Sequence, residues 1–146
     1  MEEGGGKRMK NKDAKLLNGL ALAYIGDAVF ELAIREYLLN SGQTKPNQLH
    51  HRATQYVSAK AQASLISHLL QNNLVSEEEE TYYKRGRNSK INTKAKNTNI
   101  HTYLQSTGFE ALVGYLYLTD QESRLEEIVE WCIAFINEQK GANKHE

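Results

Sequence analysis

Apolar side chains recur at three- and four-residue steps along nearly the whole chain, and that spacing confines it to helices. Leu16, Leu20, Ala23, Ile34 and Leu38 mark one such row, with Asp27 and Glu31 falling in the same register. Leu49, Ala53, Tyr56, Ala63 and Leu70 mark a second row, interrupted by Lys60. β-Branched alternation is scarce, and the only proline, Pro46, suits the first turn of the second helix. The expected fold is therefore all-α, a bundle of five helices. The first runs from about Leu16 to the "NSGQ" turn and the second from Pro46 through Leu70. A short third helix opens at "SEEEE", a fourth spans about Ile100 to Leu118, and a fifth spans about Glu122 to Glu138. Ser76 and Glu79 have capping-box spacing, and the surrounding glutamates read as helix-start chemistry on a solvated face.

With 146 residues the chain is long enough for one domain with its own core. We expect a flexible lead-in over 1–14, the domain over 15–140 and a tail over 141–146. The single cysteine, Cys132, excludes an internal disulfide framework and a multi-thiolate metal site, and its apolar surroundings make it a core residue. The start "MEEGGGKRMKNKDAK" has no apolar segment of signal-peptide length and no run approaches a membrane span, so no membrane association and a cytoplasmic location are expected. His50, His51 and His101 lack metal-site spacing, the tyrosines fall at core-like positions, and "EEGGGK" is not a phosphate loop.

Charge is informative only in its distribution. Eighteen basic and eighteen acidic residues cancel overall. Yet Lys84, Arg85, Arg87, Lys90, Lys94 and Lys96 follow one another with no acid among them. The segment "RGRNSKINTKAKNTN" also breaks the helical period. We read it as an exposed basic loop able to meet phosphates.

Two places break the apolar pattern in a way that suggests chemistry. In "LALAYIGDAVFELAIR", Gly26 and Asp27 interrupt an otherwise apolar helix. A mid-helix glycine costs about 1 kcal/mol relative to alanine. A carboxylate turned toward an apolar interior costs more unless it is paired. The fourth helix repeats the oddity with Glu110 in "STGFEALVGYLYL". Two such carboxylates could meet across a helix interface. They could share a proton, bond to Lys or Tyr, or hold a hard divalent cation.

The same residues carry a family resemblance. "AYIGDAVFE" resembles the signature helix of ribonuclease III, and "FEALVGYLYL" is similar to that family's second acidic motif. Between them "LHHRATQYVSAKAQA" resembles the connecting segment, in the same order and at similar separations. The likeness spans roughly Leu16 to Glu138. It is greatest to a short form of the family that stops before the double-stranded RNA-binding domain.

The resemblance implies a ribonuclease III-type endonuclease domain in a symmetric homodimer, each subunit cutting one strand of duplex RNA. It makes Asp27 and Glu110 the catalytic carboxylates that bind Mg2+. Other family acids are replaced, by Leu20, Ala23 and Thr107 in the two acidic motifs and by Ala59 and Lys60 after "YVS". Glu31 could compensate or be structural. In this reading metal and water offset the desolvation of Asp27, and Gly26 leaves room for an RNA backbone. The six cations from Lys84 to Lys96 would bind RNA. The implied substrate is the precursor of 23S ribosomal RNA, with a large-subunit ribosomal protein as a further partner. A noncatalytic RNA-binding module of the same fold, or a dimerisation adaptor, are the competing readings.

Overall fold

The structure is a computed structural model that describes Met9, residues 11–90 and residues 99–144, with side chains to Gly141. It contains seven helices and, among the described residues, no strand. They are α1 (Asn11–Lys15), α2 (Gly19–Asn40), α3 (Pro46–Val57), α4 (Ala59–Gln71), α5 (Glu77–Arg87), α6 (Ile100–Leu118) and α7 (Glu122–Lys144).

Four expected boundaries move, the first three for a local reason. The first helix does not begin at Leu16. Asn18 accepts a hydrogen bond from the Ala21 N–H at 2.9 Å and starts α2 afresh at Gly19. The long second helix is two helices. Ser58 adopts extended backbone, ends α3, and accepts from the Ala61 N–H at 3.2 Å to start α4. Lys60 is consequently exposed and interrupts nothing. Arg85 and Arg87 lie in the last turn of α5, where cations face the helix's negative end, rather than in a loop. The fourth helix matches its expected span, and the fifth continues to Lys144.

α6 is the central element. From Ser106 to Leu118 nearly every residue is buried, and Phe109, Leu112, Val113 and Leu116 are fully enclosed. α2, α4 and α5 lie against it. Phe30 meets Phe109 edge-to-face at 5.0 Å, and Tyr82 stacks on Tyr115 at 3.8 Å. Cys132 is buried, as expected, and burial pushes its thiol up from the ordinary range.

The capping box at α5 is present in both directions: Glu79 N–H to Ser76 Oγ, and Ser76 N–H to Glu79 Oε1. Glu79 itself departs from expectation, because it is only 5% exposed. Arg124 of α7 clamps it with bonds of 2.7 and 2.8 Å, and also donates to the Leu74 carbonyl and to Glu127. Burial alone would raise the Glu79 pKa. The bonds from Arg124 and Ser76 outweigh it and hold the carboxyl below its ordinary value.

Candidate active site

Two glycines set the site. A Cβ on Gly26 would collide with the Glu110 carbonyl and lie 2.8 Å from the Gly114 nitrogen. A Cβ on Gly114 would in turn collide with the Leu22 carbonyl. α2 and α6 thus cross backbone to backbone, which only glycine permits. This corrects the expectation that Gly26 leaves room for an RNA backbone: the room is filled by α6. The close crossing brings Asp27 of α2 beside Glu110 of α6, where its charge acts on the Glu110 carboxyl.

The two carboxyls differ in setting. Asp27 is exposed at the rim of the crossing, not buried as its apolar sequence neighbours suggest. Glu110 is half-buried, and its pKa is pushed up to about 8. Burial contributes most, followed by the negative charge of Asp27, while Gln62 pulls in the opposite direction. Among the described residues no ion pair neutralises either group. A half-buried carboxyl pushed up beside a second carboxyl marks a candidate functional site.

The donor set fits a magnesium ion. Mg2+ accepts oxygen ligands, keeps several waters, and needs only one or two protein carboxylates. Among the described residues no third His, Cys, Asp or Glu joins the pair. Ala23 and Thr107, where the resemblance replaces acids, are buried, and Thr107 Oγ1 donates to the Tyr103 carbonyl at 3.0 Å. Glu31 is bound to Arg35 on its own helix at 2.8 Å.

Sequence reasoning missed Gln62. It is 1% exposed and lies on α4, where its Oε1 accepts from the Ser106 hydroxyl at 2.6 Å. Its signal was available, since Gln62 shares the core-facing row of Leu65, Ile66 and Leu69. A polar amide in that row needs partners.

The basic residues separate into different roles. Arg85 Nη1 donates to the Lys15 and Leu17 carbonyls at 2.7 and 2.9 Å, and its guanidinium lies over Tyr82. It therefore ties the end of α1 and the entry to α2 onto α5. Lys84 pairs with Glu80, Arg87 lies over Tyr83, and Lys90 is exposed. Lys94 and Lys96 lie outside the described residues. Gly86 abuts Thr107 and Gly108, so the cationic end of α5 packs one turn from Glu110 on α6.

The chain and its all-helical fold have counterparts among known proteins. The ribonuclease III domain family matches over residues 20–121. The chain therefore belongs to the ribonuclease III family of endoribonucleases. Within that family it is 59% identical over 127 residues to Mini-ribonuclease 3 of Enterococcus faecalis, covering 87% of this chain and 96% of that protein. It is 55% identical to Mini-ribonuclease 3 of Streptococcus pneumoniae, covering 83% and 94% of the two chains. The crystal structure of protein FN1578 from Fusobacterium nucleatum superposes with a TM-score of 0.72 at 31% identity, covering 84% of this chain and 96% of that one. No helix of the described residues is long and apolar enough to cross a membrane.

Proposed function

We propose that this endoribonuclease is magnesium-dependent, cuts double-stranded RNA as a homodimer in the cytoplasm, and matures the ends of 23S ribosomal RNA precursor. The observation that carries the reading is the Gly26–Gly114 crossing that sets Asp27 beside Glu110, two carboxyls that no ion pair neutralises among the described residues. Asp27 and Glu110 would hold the ion. Bound there, magnesium supplies an activated water and neutralises charge that builds on the scissile phosphate. The protein's own contribution is placement. The Gly26–Gly114 contact fixes the two helices, so the carboxylates need not reorganise. Asp27 stands at the exposed rim, where a phosphate can approach. Lys84, Arg87 and Lys90, with Lys94 and Lys96 beyond them, supply cations for the flanking backbone.

A duplex has two strands and one chain carries one such pair, which calls for a second copy. Leu20 and Tyr24 support this, being one turn apart on α2 and 44% and 85% exposed. Apolar side chains grouped in this way mark interaction surfaces. A large-subunit ribosomal protein is the further partner that the family resemblance implies.

The test is incubation with duplex RNA in Mg2+ or EDTA, with mapping of the cut ends on 23S precursor and sedimentation of the active species. Cleavage in Mg2+ alone, at the precursor termini and by a dimer, supports the proposal. Duplex binding without cleavage would favour a noncatalytic module, and no binding an adaptor.

A further inference from the structure

We infer that Gln62 is a positioning residue for the acidic pair, its side-chain amide holding the Glu110 carboxyl toward Asp27 while Ser106 locks the amide in orientation. Gln62 and Ser106 are both buried, and the Ser106 hydroxyl donates to Gln62 Oε1 at 2.6 Å. That bond assigns the amide: the oxygen faces Ser106 and the nitrogen faces away. Gln62 Nε2 is fully enclosed and lacks a hydrogen-bond acceptor within ordinary reach.

Its location indicates what it serves. Ser106 and Glu110 are four residues apart on α6 and so stack on one face. An amide anchored at Ser106 therefore lies one turn from Glu110, and Gln62 favours the charged form of that carboxyl. A buried amide nitrogen with no partner is costly, so a purely structural glutamine is a poor choice here. Methionine or leucine would fill the same volume without that cost. A donor placed one turn from Glu110 gives the glutamine a purpose, because the carboxyl is the acceptor its position offers.

The inference rests on the proposed metal-dependent reading of Asp27 and Glu110, and the test separates the two. Gln62→Met keeps the volume and removes both polar atoms, and the orphaned Ser106 hydroxyl can turn to its own helix carbonyl. Ser106→Ala leaves the amide in place but unlocks it. Each protein is compared with wild type in thermal melting, in calorimetric binding of Mn2+ to the metal-free protein, and in duplex cleavage.

Loss of an outer partner of a metal ligand typically lowers metal affinity or turnover ~10–100-fold. We expect Gln62→Met to weaken Mn2+ binding and kcat by that order, with KM for duplex within about twofold and no loss of melting temperature. Ser106→Ala should move both readouts in the same direction by less. Wild-type Mn2+ affinity and kcat in a normally melting Gln62→Met protein would overturn the inference. If that variant does not fold, unchanged Mn2+ binding in Ser106→Ala would overturn it instead. Absence of metal-dependent cleavage by wild type would sink the proposed function, whereas the Mn2+ isotherms decide the role of Gln62.

Discussion

Glu79 and Glu110 are two glutamates withdrawn from water at helix junctions, with opposite electrostatic surroundings. Glu79 has a guanidinium on both of its oxygens and is held below the ordinary carboxyl range, whereas Glu110 faces another carboxylate and is pushed up to about 8. The first arrangement is complete within the chain and ties α5 to α7. The second has no ion-pair partner among the described residues, which is the arrangement the proposed cation would complete. Burial of charge alone therefore does not mark a site in this molecule. What marks it is the missing partner.

Neutralising one member of the incomplete pair should produce the largest effect. Asp27→Asn keeps the shape and removes the charge that would hold a cation. We expect cleavage to fall on the order of 10^4-fold, about 5 kcal/mol of transition-state stabilisation, with the fold and duplex binding retained. Circular dichroism and gel shift are the controls, and substantial residual turnover would remove Asp27 from the site.

The complete pair should respond in stability and leave the chemistry untouched. Arg124→Ala strands a buried Glu79 carboxylate and should cost about 3–5 kcal/mol in denaturant unfolding, with kcat unchanged where the protein remains folded. The pH dependence follows from the depressed Glu79 pKa. Its contribution is present above the unfolded carboxyl value and is lost as pH falls through the lower folded value. Wild type should thus lose more stability on acidification than Arg124→Ala does. Equal acid sensitivity would show that the clamp does not act through charge.

A smaller effect is expected at the cationic end of α5, and the structure decides which residues to change. Arg85 binds two backbone carbonyls, so its removal would confound folding with RNA affinity. Arg87→Ala with Lys90→Ala avoids this. The double variant should weaken duplex binding and reduce the salt slope by up to ~2, one for each lost phosphate contact. An unchanged slope would mean that these cations do not face phosphate.

Much of the fold was legible because α6 and the start of α5 obey local rules. Helical spacing bounded Ile100–Leu118, and Ser76 with Glu79 announced a capping box. The break at Ser58 was hidden because Ala53, Tyr56, Ala63 and Leu70 read as one apolar row in the sequence, although α4 buries Gln62, Leu65, Ile66 and Leu69 and the cap depends on a single serine. Asp27 and Glu110 stood out as carboxylates in apolar helices, but their exposures depend on the crossing angle of α2 and α6. Sequence spacing does not encode that angle. Gly26 was noticed for its cost and assigned the wrong neighbour for the same reason. Tyr24 fell at a core-like position, yet it is among the most exposed side chains described. Arg124 and Glu79 are 45 residues apart, and no local pattern joins them.

The central claim is that Asp27 and Glu110 form a pair awaiting a divalent cation. It is tested most directly by calorimetric titration of the metal-free protein with Mn2+ at pH 6.5, in two buffers of different ionisation enthalpy. Glu110 is largely protonated at that pH, so cation binding must displace its proton. We expect release of about one proton per bound ion by wild type, falling toward zero above pH 9, and weakened binding without release by Glu110→Gln. Tight Mn2+ binding by Glu110→Gln, or binding by wild type with no proton released, would contradict it.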